Sequence, residues 1–276
     1  MTHDRVRLNE RARVGLHVEP PHDHATMWKC HFRVELRKVG KGRQSWSTDE
    51  ILRGLAPKPF EVYEHIGNLL MTAGATALWD GLVTAGLATP FNSTNAQIAL
   101  GDSSTAASAG QTDLQAAEGT TVAVTAATNA SPIVLTTAAQ TWTVGMVIVV
   151  ASVGGNTNAN GTWELSAVTS TTATLLNSTG NAAYTSGGTA GPINKYRQLV
   201  SGAPVVTTNA VAFAATIATI NGNYAWNEWG ITTGGAATNK QAVVPPTLLN
   251  RAVPGTALLT KSSAASATAT MTLSLA

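Results

Sequence analysis

Trp28, Cys30, Phe32, Val34 and Leu36 alternate with Lys29, His31, Arg33, Glu35 and Arg37. That period of two predicts a strand over residues 27–39 with one buried face. Gly40-Lys41-Gly42 ends it in a turn. A short polar segment, Trp46 to Leu55, follows, in which Ser47 or Thr48 caps a helical turn opening on Asp49 and Glu50. Pro57 and Pro59 then break the chain. Over residues 60–85 the apolar positions Phe60, Ile66, Leu69, Leu70, Ala73, Ala77, Leu78 and Leu82 form a stripe that predicts a helix. Gly67, Gly74 and Gly81 recur every seven residues within it, a spacing that suits close approach of a second element, and Gly86 stops it.

Beyond residue 90 the pattern is that of strands. Gln97–Leu100, Val205–Ile220, Tyr224–Thr232 and Thr268–Leu275 are the longer candidates, with Asn221-Gly222 read as a hairpin turn between two of them. Between residues 119 and 192 the candidates are short and evenly spaced: Val122–Val124, Ile133–Thr136, Met146–Val150, Thr162–Val168 and Thr172–Leu176. Gly154-Gly155, Asn160-Gly161 and Gly187-Gly188 punctuate them, as in a small sandwich or barrel. The expected class is mainly β with an N-terminal α/β portion, a β-sandwich or barrel-like domain carrying an inserted small β-domain. Its expected parts are an extended arm over 1–26, a strand-plus-helix docking region over 27–90, a β-domain over 91–118 and 193–276, and an inserted β-module over 119–192.

Charge changes this picture. Residues 1–85 hold 22 of the 32 Asp, Glu, Lys and Arg residues, and all six histidines lie at or before His65. The 191 residues from 86 onward hold the other 10 charges. Catalysis usually rests on convergent ionisable groups, and this long part has few to offer. A surface of Thr, Ser, Asn, Gly and Ala is poorly soluble alone and suits burial in an assembly. A net charge of +2 argues against wholesale nucleic-acid binding. The single cysteine, Cys30, excludes an intrachain disulfide. No run of about 18 apolar residues predicts a transmembrane helix, and the polar start MTHDRVRLNERARVG lacks a signal-peptide core.

The motifs that carry chemistry are sparse. Gly101-Asp102-Ser103-Ser104 looks like a hydrolase nucleophile block, but no histidine follows His65 to take the serine proton, so a turn is expected. His22, His24, Cys30 and His31 are metal-ligand types at a spacing that fits no standard module. Neither a catalytic, a metal nor a cofactor site is expected. Arg5, Arg7, Arg11 and Arg13 make the arm basic, and docking on an acidic protein surface is the expected use. Tyr224, Trp226 and Trp229 are read as core or subunit-interface aromatics, and Glu228 and Arg251, isolated among apolar neighbours, as a buried mutual pair.

Several of these runs resemble a family of tailed-bacteriophage virion proteins. They are Gly67-Asn68-Leu69-Leu70, Ala77-Leu78-Trp79, Ile98 through Thr105, Gln111-Thr112-Asp113-Leu114, Asn194-Lys195-Tyr196-Arg197, Asn223 through Gly230, and Leu248-Leu249-Asn250-Arg251. The resemblance covers about residues 60–118 and 193–276. Residues 153–163 and 178–188 are similar to small β-modules of phage tail and surface proteins, and they interrupt the family's usual run. The resemblance implies a non-enzymatic virion protein, assembled in the host cytoplasm. The first reading is a capsid decoration or minor capsid protein that binds the major capsid protein and itself, as a homotrimer, without membrane or nucleic acid. Arg5, Arg7, Arg11, Arg13, Trp28, Phe32, Arg33 and Arg37 are then the docking residues. The second reading is a tail, baseplate or receptor-binding component.

Overall fold

The computed structural model describes residues 28–40, 43–67, 69–83, 90–233 and 247–275. The arm, with Arg5, Arg7, Arg11, Arg13, His22 and His24, lies outside the described residues, as does the side chain of Trp28. In chain order the elements are β1 (Trp28–Lys38), α1 (Thr48–Leu52), β2 (Glu61–Ile66), β3 (Leu69–Leu70), α2 (Thr72–Val83) and β4 (Gln97–Gly101). There follow β5 (Val122–Ala127), β6 (Val134–Thr137), β7 (Val147–Ala151), β8 (Gly161–Val168), β9 (Thr172–Leu175) and β10 (Thr189–Pro192). The last group is β11 (Lys195–Leu199), β12 (Val205–Val206), β13 (Ala210–Ile217), β14 (Ala225–Trp226), β15 (Glu228–Thr233), β16 (Thr247–Ala252), β17 (Leu259–Thr260) and β18 (Ala265–Leu275). The protein is mainly β. No helix among the described residues is long and apolar enough to cross a membrane.

Two five-stranded antiparallel sheets pack face to face. The first runs β12-β13-β18-β1-β2 and the second β11-β4-β15-β16-β3. Alternation decides what each strand contributes to the space between them. Cys30, Phe32, Val34 and Leu36 come from β1, Ala267, Ala269, Met271 and Leu273 from β18, and Phe213, Ala215 and Ile217 from β13. Ile98, Leu100, Trp229 and Ile231 meet them from the second sheet, and the Phe32 and Trp229 rings lie 4.7 Å apart. Ser47 caps α1 through a capping box with Glu50. Helix α2 covers the outer face of the second sheet, where Gly74 is essential to the fit. A Cβ there would stand 2.2 Å from the Leu249 carbonyl oxygen.

Between β4 and β11 the chain builds a closed six-stranded barrel, in the order β10-β5-β6-β9-β8-β7. It has a core of its own, including Ile133, Leu135, Ile148, Leu165 and Leu175. Its exit and return are adjacent. Glu118 bridges to Ile193, and Gly101 lies opposite Lys195 where β4 and β11 pair.

Three expectations are corrected. Residues 27–90 are not a separate docking unit: β1 is an interior strand, paired along its whole length with β18, from Trp28 opposite Leu275 to Lys38 opposite Ala265. The helix expected over 60–85 begins only at Thr72. Glu61–Ile66 alternate well enough to pair with β1, and Gly67, at φ +127°, turns the chain before the helix. Asn221-Gly222 is not a hairpin turn either. The strand before it pairs with β18 and the strands after it belong elsewhere, so the turn carries the chain between sheets.

Candidate functional site

The second sheet places its sparse charges on one outer face, under the loop 102–118. Glu228 on β15 stands opposite Gly101 on β4. A side chain at 101 would collide with the glutamate, its Cβ only 2.4 Å from Oε1. Arg251 on β16 stands opposite Gly230, so it is the diagonal neighbour of Glu228 across an antiparallel pair. Both are fully buried, and Arg251 Nε donates to Glu228 Oε2 at 2.7 Å. The pair is completed from the loop. The backbone N–H groups of Gln115 and Ala116 donate to the carboxylate at 2.8–3.0 Å. Arg251 Nη1 donates to Gln111 Oε1 at 2.8 Å and Nη2 to the Thr105 carbonyl at 2.9 Å. A buried ion pair is tolerated when hydrogen bonds satisfy its remaining donors and acceptors, which is the arrangement here.

Two further contacts fasten the same loop. Asp113 accepts from Lys195 at 2.8 Å and from Arg197, both on β11. Burial works against the Asp113 charge, but the two cations outweigh it and hold the carboxyl below its usual range. Asn194 Nδ2 donates to Asp102 Oδ2 at 2.8 Å, and Asn227 Nδ2 to the Asp102 carbonyl at 2.6 Å. Tyr224 Oη donates to the Leu100 carbonyl at 3.1 Å, and burial raises its pKa well above that of free tyrosine. In the Gly101-Asp102-Ser103-Ser104 run, Gly101 ends β4 and Ser103 Oγ accepts from the Thr105 N–H at 3.1 Å.

The barrel joins the sandwich through one polar contact of note. Asn221 is buried, and its Nδ2 donates to Glu164 Oε1 at 2.9 Å and to the Gly145 carbonyl at 3.1 Å. Glu164 is the barrel's one charged residue. Nearby, Lys261 is buried with its Nζ donating to Asn223 Oδ1 at 2.7 Å. Its longer contacts are with the Thr219 and Ser262 carbonyls. Burial pulls its pKa down to about 7. Thr143, Met146, Asn194, Tyr196, Asn223 and Tyr224 help to line a cavity of about 90 Å³ at this junction.

The residues expected to dock on a partner fare differently. Phe32 is fully buried against Trp229 inside the chain, so it cannot meet a partner. Arg37 is 7% exposed, ion-paired with Glu35 and donating to the Pro57 carbonyl at 3.2 Å. It holds the sheet to the segment after α1 rather than facing outward. Arg33 stays half-exposed, paired with Glu35 and Glu64. Trp226 and Trp229 are fully buried and Tyr224 packs against them, which makes these aromatics core within one chain. Cys30 points into the core, and burial pushes its thiol up to about 12, against a weaker pull from an Asn250 hydrogen bond. Its neighbour His31 is on the opposite face of β1. Among the described residues no three His, Cys, Asp or Glu side chains gather as a metal site.

The Asp113, Lys195, Arg197, Asn221 and Lys261 contacts escaped sequence reasoning. The available signal was isolation: polar or charged residues set singly in apolar or small-residue stretches of a charge-poor chain. No protein-family model and no curated protein matches the chain.

Proposed function

We propose that this protein is a non-enzymatic structural protein of a tailed-phage virion. The observation that carries the reading is where the phage-like motifs fall. Gly101-Asp102, Gln111, Asp113, Asn194-Lys195, Arg197, Asn227-Glu228 and Arg251 are distant in sequence, and their contacts together fasten the loop 102–118 to the sandwich. Their charges are spent on each other and on backbone groups, which is the use a scaffold makes of charge. The outer face of the first sheet also suits contact with other subunits. Ala210, Ala212, Ala214 and Thr216 on β13 lie beside Ser274, Thr272, Thr270 and Thr268 on β18, all half-buried small side chains.

The role within the virion that we favour is capsid decoration: a homotrimer that clamps the major capsid protein, reached by the basic arm and by Arg33. Binding confined to the assembled shell stabilises it by mass action, and many copies multiply a modest effect. One observation favours the tail or baseplate reading instead. The closed barrel has its own core and is tethered at one end, a construction suited to an exposed receptor-binding module. Copy number per virion, by quantitative mass spectrometry against the major capsid protein, separates the two. Hundreds of copies are expected; a few dozen or fewer would move the protein to the tail, and absence from purified virions would overturn both.

A further inference from the structure

The first sheet ends on β2, whose six residues bear no described strand on their outer side. The Gly67 N–H donates to the Cys30 carbonyl on β1 at 3.0 Å, and the Leu36 carbonyl accepts from Phe60 at the other end. Backbone groups alternate along an antiparallel strand, so His65, Tyr63 and Glu61 turn theirs toward β1 as well. Val62, Glu64 and Ile66 therefore direct their N–H and C=O groups away from the sheet. Their side chains share its outer face, where Val62 is 44% and Ile66 70% exposed. An open strand edge with apolar side chains is a template for an added strand, and native proteins cover such edges.

We propose that β2 of a second copy covers it, antiparallel about a two-fold axis at Glu64. The edge is its own complement. Val62 and Ile66 stand two residues either side of Glu64, so each Val62 lies opposite the partner's Ile66, and both apolar pairs fall on one face. Val62, Glu64 and Ile66 then occupy hydrogen-bonded positions, where facing residues exchange both of their backbone bonds. A register shifted by two residues would set Val62 against the partner's Glu64 and leave Ile66 without a partner. Charge does not oppose the pairing. The two Glu64 carboxylates meet at the axis, but Arg33 holds each within its own chain, and His31 Nε2 lies 3.6 Å from it. On this face Arg33 and Arg37 are paired with Glu35 and Glu64, so no excess charge calls for a partner of opposite sign. A symmetric edge without net charge suits a copy of itself. This contact is separate from the trimer contact proposed above and does not depend on the virion role.

Sedimentation of the full chain tests it, with Val62→Lys and Ile66→Glu as variants. Each new charge is tolerated within its own chain, because position 62 faces Glu35 and position 66 faces His31 across β1. The wild type is expected to associate reversibly to twice the mass of the species left on dilution. Each variant alone should weaken that step by about tenfold or more, since a charge then meets an apolar side chain in both pairs. An equimolar mixture of the two variants should recover it. The new ammonium of one copy then faces the new carboxylate of the other, while the remaining Val62 and Ile66 keep their contact. A wild type with no doubled species, variants that associate as tightly as the wild type, or a mixture that stays apart would overturn the proposal.

Discussion

Lys261 meets only oxygens without formal charge, on Asn223, Thr219 and Ser262, and burial lowers its pKa to about 7. In the unfolded chain the same ammonium keeps its proton to about pH 10.4. Between those values the unfolded state binds more protons, so stability rises as pH climbs from about 7 toward 10. Below 7 both states are charged and the desolvation cost is undiminished. Denaturant midpoints at pH 6 and pH 9 check this: the wild type should be more stable at pH 9. Lys261→Met should be more stable than wild type at pH 6 and should lack that share of the rise. A wild type with no gain at pH 9 relative to the methionine variant would contradict the assignment.

The packing of α2 on β16 rests on the missing side chain of Gly74. Gly74→Ala sets a Cβ 2.2 Å from the Leu249 carbonyl and should cost about 3 kcal/mol, because neither backbone can yield cheaply. Gly40→Ala, with nothing within 4 Å, should stay within about 0.5 kcal/mol. Chemical denaturation of both variants checks the contrast. How far the elements were legible depended on how local their cause was. The alternation of β1 and of Thr268–Leu275 lies in the strands themselves, and so does the Ser47 cap. The barrel strands also announced themselves through Gly and Asn turns. Glu61–Ile66 hid because Phe60 and Ile66 also fit a helical stripe, and only pairing with β1 decides between them. Asn221-Gly222 suggested a hairpin because turn chemistry is local, whereas the partner of β13 is β18, some fifty residues further along. The pairing of Glu228 with Arg251 was legible from isolation in an apolar setting; the loop groups that complete it were not, since nothing local marks Gln111 or the Gln115 N–H as partners.

At the scale of the molecule, the barrel leaves and re-enters the sandwich at one seam, and its Val147 and Gly145 also pack against the sandwich. With the Glu118–Ile193 bridge closing that seam and β4 already paired to β11, residues 119–192 can be replaced by a short Gly-Ser linker. The remaining chain should fold to a cooperatively melting β-protein by circular dichroism, and residues 119–192 alone should give a second one. Failure of the first would mean that the sandwich needs its contacts with the barrel, Val147 in its core and Glu164 on Asn221. What the sandwich requires in either case is the clamp on the loop 102–118. The central claim is that Glu228, Arg251 and the charges around them hold that loop, and a double-mutant cycle on Glu228 and Arg251 tests it most directly. Glu228→Ala and Arg251→Ala should each cost about 3–5 kcal/mol in chemical denaturation, because each strands a buried partner. The double variant should cost clearly less than their sum. Strict additivity, or single losses below about 1 kcal/mol, would contradict the account.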